Sequence, residues 1–439
     1  MDIGTITIIL FAGLLLVLLT GAPIAIVMGG AAVIFTLFLW GPQALMQIAA
    51  NAFGVMQNFI LLAIPLFVFM GMVLEQSGIA SSLYEMMYRW FGGVRGGLAI
   101  GTVIICMIFA ALCGISGAAT VSMGLIALPS MLERKYNKDI AIGCISAGGA
   151  LGILIPPSVP FILYGVFSGE SIGALFASGV FPGILLGFIF IGYILIRCYF
   201  QRDLGPALPK ELRATWREKF QALKAVILPL LLIALVLGSI FGGVATPSEA
   251  AALGALGSLV CAAAIRSLTW RVIRESCYGT MRLGSMVVWI IIGGSVFTSL
   301  YTAIGAIDFI KSIVAALPVS RYVILFGMQF VLFILGMLMD PGGIIMITTP
   351  VFVPIIKQLG FDPVWFGLLF IVNMEMAYLT PPFGFNLFYM KAIVPKGITM
   401  GDIIHSIMPF VGLQALCLII CIIFPELALW LPRKLIGGG

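Results

Sequence analysis

Two apolar segments near the C-terminal end of the chain are each long enough to enter a bilayer, and each is broken near its middle. The breaks read Met339-Asp340-Pro341-Gly342-Gly343 and Thr380-Pro381-Pro382-Phe383-Gly384. In hydrocarbon every peptide N–H and C=O must be bonded internally, so irregular backbone at membrane depth survives only against protein or a polar cavity. Pro381 and Pro382 have no N–H and clash with the turn before them, which frees carbonyls at the end of the preceding half-helix. Freed carbonyls suit a cation. A half-helix opening near Asp340 or Pro341 instead offers unpaired N–H groups and a partial positive charge, which suit an anion such as a carboxylate. Opposed half-helix ends at mid-membrane are how secondary transporters hold a coupling ion beside an organic solute.

The surroundings agree with membrane depth. The chain is 62% apolar and 9% charged, with a mean hydropathy of +1.20, against roughly 45–50% apolar and about 25% charged in soluble domains. Spans of ~20 residues across a core of ~30 Å leave room for about ten crossings plus re-entrant segments. Met1 to Gly21 lacks a basic n-region and is followed directly by another apolar run, so it reads as a first span and not a cleaved leader. The net charge of +6 sits in loops, where it reports topology and gives no sign of a nucleic-acid partner. Eight cysteines lack metal-ligand spacing, His405 is the only histidine, and no GxxxxGK[ST] loop is present, which argues against a transition-metal centre and against direct nucleotide drive. His405, near the last span, is expected at the interface.

Spans are drawn at about 5–20, 23–40 and 61–77, with an amphipathic stretch Gln43 to Phe59 between the second and third. A polar segment at about 80–96 leads into a re-entrant hairpin at about 97–132, softened at Gly114 to Thr120 and flanked by basic residues at both mouths. A broken span follows at about 139–168, interrupted at Pro156-Pro157-Ser158, and then a span at about 173–197. After the connector 200–224, in a basic stretch with seven lysines and arginines from Arg197 to Lys224, the same order recurs. It comprises spans at about 225–241 and 247–265, an amphipathic stretch Ser267 to Arg282, a span at about 284–302, a hairpin at about 323–356, a broken span at about 364–391 and a last span at about 405–424.

Sliding the first hairpin and broken span by 225 residues places Pro129 on Pro354, Pro156 on Pro381, Pro157 on Pro382, Gly117 on Gly342 and Tyr164 on Tyr389. Five crossings and one hairpin per half invert the second half. With a cytoplasmic connector both termini are periplasmic, and of the 23 lysines and arginines only Lys311, Arg321, Lys357, Arg433 and Lys434 fall outside, as the positive-inside rule requires. The expected fold class is therefore an all-α integral membrane protein of two inverted repeats, 1–199 and 225–439, each with five spans, one re-entrant hairpin and one broken helix.

The stretches GISGAATVSMG with ERKYNKD behind it, GILIPPSVPFILYG, ATPSEAAALGA, MLMDPGGIIMITTPVFVPI and VNMEMAYLTPPFGFNLF resemble the large membrane subunit of the TRAP (tripartite ATP-independent periplasmic) transporters. The resemblance runs nearly end to end, with motifs in matching order and spacing. It implies a sodium-driven importer of organic acids in a bacterial inner membrane, an elevator-type motion of a body holding two hairpins, and substrates such as sialic acid, C4-dicarboxylates or keto acids. It also implies two partners, a small four-helix membrane subunit and a periplasmic substrate-binding protein. Where the family often has a serine-rich first hairpin tip, this chain has Gly117-Ala118-Ala119.

Asp340 is the first candidate site residue, because a carboxylate at membrane depth costs roughly 2.5–3.5 kcal/mol and calls for a compensating cation or hydrogen bond. It also fits as the N-cap of a helix opening at Pro341, and both roles are compatible. Glu375, one turn before the Pro pair, reads as an ion or proton site or as a clamp between helices. Carbonyls of Gly114, Gly148, Gly149 and Thr380, and hydroxyls of Ser116, Ser158 and Thr380, are candidate sodium ligands, since hard cations take oxygen donors. Ser116, Thr120, Ser158, Tyr378 and Asn386 are candidates for the substrate side or for structural hydrogen bonding. Pro156, Pro157, Pro381 and Pro382 are the helix breaks. No cofactor beyond coupling sodium ions is expected, and no enzymatic nucleophile and base pair stands out. A stand-alone dicarboxylate or citrate carrier without a binding protein is the alternative; an ion channel lacks a filter motif or a repeated charged lining.

Overall fold

The computed structural model describes residues 2–18, 20–209, 211 and 213–435, and the described residues form helices, turns and loops. In the first half α1 (Ile3–Leu18), α2 (Ile24–Trp40), α3 (Leu45–Met56), α4 (Ala63–Gln76) and α5 (Ile79–Phe91) precede a hairpin of α6 (Gly97–Cys113) and α7 (Ser116–Glu133). α8 (Lys138–Ala150) and α9 (Val159–Ser168) are the two parts of the first broken span, and α10 (Ile172–Phe200) follows. After the connector come α11 (Trp216–Ala222), α12 (Lys224–Phe241), α13 (Pro247–Ala264), α14 (Trp270–Ala303) and α15 (Ala306–Ala316). The second hairpin is α16 (Arg321–Leu338) with α17 (Pro341–Gln358), the second broken span α18 (Pro363–Ala377) with α19 (Phe385–Ile393), and α20 (Met400–Ile423) and α21 (Glu426–Leu435) close the chain. Among the described residues, seven helical segments are long and apolar enough to cross a membrane by length and composition, including Ile172–Phe200, Trp270–Ala303 and Met400–Ile423.

Each hairpin reverses within two residues, at Gly114 and Ile115 in one and at Met339 and Asp340 in the other. Gly114 is required there. Its φ is +63°, and a Cβ would come within 2.5 Å of the Pro157 carbonyl oxygen, so any other residue meets both strain and a backbone clash. The Pro156–Pro157 and Pro381–Pro382 bonds are both cis.

One reading is corrected. The amphipathic stretch Ser267 to Arg282 and the expected span at 284–302 are a single helix, α14, of 34 residues. Gly284 was the only breaker between them, and one glycine costs a helix only about 1 kcal/mol. Three further helices lay outside the expected elements: α11 inside the connector, α15 and α21. The segment at 80–96 is also helical over most of its length, burying Leu83, Tyr84, Met86 and Met87 while Arg89 pairs with Glu85.

Packing divides the helices into two groups. α4 lies along α13 and α14, and α2 along α14, with Gly293 so close that a Cβ would sit 2.4 Å from the Ala25 carbonyl oxygen. The hairpins, broken spans and α20 pack among themselves through α7 on α8, α6 on α8, α8 on α20, α16 on α18 and α18 on α20. α14 reaches across to the second group through α17, where Thr298 donates to the Met346 carbonyl at 3.1 Å. The connector is pinned under the first hairpin: Gly96 N–H donates to Gly205 O at 2.9 Å, Asn137 N–H to Leu204 O at 3.0 Å and Leu208 N–H to Gly92 O at 2.8 Å. Beside it the Leu98 N–H donates to the Tyr136 hydroxyl at 3.3 Å, and burial raises the Tyr136 ionisation well above the ordinary tyrosine range.

Candidate functional site: a junction of two hairpin tips and two helix breaks

Each helix break docks on a hairpin tip. Val159 N–H, the first of α9, donates to Gly114 O at 3.4 Å, and Phe383 N–H, just before α19, donates to Met337 O at 3.2 Å. The partnership then crosses over, because α19 packs on α7 of the first hairpin while α9 packs on α17 of the second. Small residues allow the approach. A Cβ on Gly117 would come within 2.8 Å of the Tyr389 ring, and one on Gly342 within 3.4 Å of Leu163 Cδ1.

Asn386, in the first turn of α19, is the centre of the crossing. Its Oδ1 accepts from Ser116 Oγ at 2.8 Å, its Nδ2 donates to Ser146 O at 3.1 Å, and its backbone N–H donates to Tyr378 O at 3.3 Å. Thr120 Oγ1 donates to Ser116 O at 3.1 Å. Ser116, Ser146, Thr120 and Asn386 are all buried, and the Ser146 hydroxyl has no hydrogen-bond partner among the described residues. Gly149 brings α8 against this cluster, since a Cβ there would lie 2.0 Å from Thr120 Oγ1. Gly148 faces α6 instead, against Cys106.

Asp340 caps α17 as its sequence suggests: Oδ1 accepts the Gly342 N–H at 2.8 Å, and Oδ2 accepts the Tyr378 hydroxyl at 3.3 Å. Tyr378 thereby ties the Asp340 carboxylate to the Asn386 cluster. The same carboxylate borders a cavity of about 850 Å³ that α1, α2 and α14 close from the other side, with Pro23, Met286, Trp289, Phe383, Phe385 and Tyr389 in its lining.

The side chains of the other candidates bond outside the Asn386 cluster. Ser158 Oγ donates to Ile153 O at 2.5 Å, inside the first break, and Thr380 Oγ1 donates to Met376 O at 2.9 Å, inside the second. Glu375 faces α20, where Oε1 accepts from Gln414 Nε2 at 3.3 Å. His405 is exposed, with Nδ1 3.6 Å from Asp139 Oδ2. Sequence reasoning missed Ser146 and Gln414 and used Tyr389 only as a repeat marker. Gln414 carried a legible signal, a lone amide in an otherwise apolar span; Ser146, inside a small-residue run, carried none.

Residues 11–427 match the tripartite ATP-independent periplasmic transporter, DctM component. The chain belongs to the DctM family. Among its relatives, the C4-dicarboxylate TRAP transporter large permease protein DctM of Pseudomonas aeruginosa is 35% identical over 401 residues, 91% of this chain and 92% of that protein. The 2,3-diketo-L-gulonate TRAP transporter large permease protein YiaN of Escherichia coli is 30% identical over 95% of this chain and 96% of its own length. The isethionate TRAP transporter permease protein DctMQ of Oleidesulfovibrio alaskensis is 30% identical over 96% of this chain but 66% of its own length. In fold, this DctM-family chain is similar to the YdaH transporter of Alcanivorax borkumensis, with TM-score 0.61 at 13% identity over 92% of this chain and 98% of that one. It is also similar to MtrF of Neisseria gonorrhoeae, with TM-score 0.62 at 15% identity over 89% and 84%. Both are transporters, and at these identities the likeness speaks to fold alone. The DctM-family relatives are permeases, which places this chain with membrane transport proteins.

Proposed function

We propose that this chain is the large permease of a sodium-coupled importer of a small organic acid, working with a small four-helix membrane subunit and a periplasmic binding protein in a bacterial inner membrane. The observation that carries the reading is the match to the DctM component over residues 11–427, on a fold in which Asn386 joins one hairpin tip to the opposite helix break. The DctMQ relative, of which one third lies beyond the match, supports the small subunit as a separate partner. Relatives named for C4-dicarboxylate, diketogulonate and isethionate support an organic anion as cargo.

In this reading sodium ions sit among the oxygens at the tips and breaks, drawn from Ser116, Asp340, Thr380 and the carbonyls of Gly114, Gly148 and Gly149, and the anion docks beside Ser116, Thr120, Ser158, Tyr378 and Asn386. Sodium supplies the positive charge that the acid needs at the site. The two hairpins and broken spans slide as one body against α2, α4, α13 and α14. Each net positive charge carried inward gains ~2.3 kcal/mol per 100 mV of membrane potential, so two or more sodium ions per anion concentrate the acid without ATP. The test is uptake of a panel of labelled organic acids into proteoliposomes holding this chain and its small subunit, with and without an inward sodium gradient and binding protein. Uptake that requires both supports the reading; uptake without the binding protein moves it to a stand-alone carrier.

A further inference from the structure

Helix α18 is fastened to α16 and α20 by two buried side-chain pairs, one of two amides and one of a carboxyl group with an amide. Toward α16, Asn373 Nδ2 donates to Gln329 Oε1 and to the Gln329 backbone carbonyl, each at 2.7 Å. The side-chain atoms left over are Asn373 Oδ1 and Gln329 Nε2, one acceptor and one donor, so the amide pair is balanced. Toward α20, Gln414 Nε2 donates to Glu375 Oε1 at 3.3 Å. The atoms left over are Glu375 Oε2 and Gln414 Oε1. With an ionised carboxylate both are acceptors, and no donor among the described residues serves either.

Glu375 and Gln414 are each 0% exposed. A carboxylate so placed, with one long bond from a neutral amide, is among the costliest arrangements in a protein interior. The groups around it do not relieve the charge. On α20 the nearest thiol in sequence to Gln414 is Cys417, which donates to Pro182 O at 3.9 Å, with Cys421 one turn on. Arg321 of α16, Lys357 of α17, Arg197 of α10 and Arg433 of α21 stand at or near their helix ends, and none forms an ion pair with Glu375. A single proton on Oε2 makes it a donor and gives the unpartnered Gln414 carbonyl a hydrogen to accept, completing both orphan atoms together.

We propose that Glu375 is a proton-binding site, occupied at neutral pH, whose carboxylic hydrogen is shared with Gln414 in a carboxyl–carboxamide pair. The bond that forms is Oε2–H, the proton comes from solvent, and no oxidation accompanies it. The pair is the counterpart of the Asn373–Gln329 amide pair and holds α18 between α16 and α20. The site takes a proton where a sodium ligand was also conceivable, and the moving charge of the carrier then counts Asp340 but not Glu375.

Infrared difference spectra of the purified full chain, wild type minus Glu375→Gln, test this without any transport step, so failure of the import reading leaves the result interpretable. The expected result is a protonated-carboxyl C=O band that shifts down in heavy water and disappears in the variant. In Gln414→Leu the band moves to higher frequency, because its amide donor is gone. Thermal unfolding should be matched in wild type and Glu375→Gln only near pH ~4, where the unfolded carboxyl is protonated as well, with the variant becoming the more stable as pH rises from there through neutrality, since unfolding of wild type then releases a proton. Loss of carboxylate bands instead of the C=O band in the variant overturns the proposal. So does a sodium-over-choline stabilisation of wild type that Glu375→Gln abolishes. If Glu375→Gln does not fold, an unchanged C=O region in Gln414→Leu overturns it equally.

Discussion

Ser116 and Asn386 are 270 residues apart in the chain, and the hydroxyl of one donates to the side-chain carbonyl of the other at 2.8 Å. The bond joins the first hairpin tip to the second half of the second broken span, so neither element holds its place without the other. Because the Asn386 side chain also donates to Ser146 O, it is the more critical of the pair. Asn386→Ala strands buried partners at a cost of about 1–3 kcal/mol, and uptake should fall close to background. Ser116→Ala leaves one acceptor unpaired and should retain more thermal stability than Asn386→Ala. Fluorescence-detected melting alongside proteoliposome uptake checks the order.

Capping and charge can be separated at Asp340. Asparagine caps a helix about as well as aspartate, whereas alanine costs about 1 kcal/mol. Asp340→Asn should therefore melt near wild type, and Asp340→Ala should melt lower, while both lose sodium-stimulated uptake. Melting and uptake on the same preparations decide; full uptake by Asp340→Asn shows that the cap is the whole role of the residue.

Gly149→Ala should act through packing alone. The added methyl would sit 2.0 Å from Thr120 Oγ1 and 2.9 Å from Thr120 Cα, so α7 and α8 must separate, at a cost of typically 1–3 kcal/mol. A lower melting temperature is expected, whereas Gly13→Ala, inside α1 and with a Cβ that meets nothing within 4 Å, should melt at or slightly above wild type as the control.

Tyr136 predicts an alkaline weakness outside the spans. Burial raises its folded ionisation above the unfolded value, so the folded state holds the proton longer. Stability from this group is fully present below the unfolded pKa of ~10 and is lost as pH rises through the folded value. Tyr136→Phe removes that dependence while leaving the Leu98 N–H without the acceptor it has now. Melting curves across the alkaline range should be steeper for wild type than for the variant.

The hairpins and broken spans were legible because their causes are local. Pro156-Pro157 and Pro381-Pro382 lie in the gaps before helix resumes at Val159 and Phe385, and Asp340-Pro341 starts a helix through its own carboxylate. α14 was misread for a local reason too, since the split fell where the charged residues end at Arg282, and a change of polarity does not interrupt a helix that α2, α4 and α17 hold together. The crossing of α19 onto α7 was not legible, because it depends on which surfaces fit after folding: Tyr389 over Gly117, and Asn386 between Ser116 and Ser146. Glu375 was legible as an anomaly, and its partner Gln414 lies 39 residues on, in a helix whose facing side no periodicity could reveal.

At ~1.5 Å per residue, the 34 residues of α14 extend ~51 Å, well beyond a hydrocarbon layer of ~30 Å. A rod that long either leans steeply or protrudes, and its exposed Trp270 end is joined without a hinge to the Thr298 contact on α17. Met286 and Trp289 of the same rod line the cavity beside Asp340, so a bilayer of different thickness that tilted the rod would move that wall.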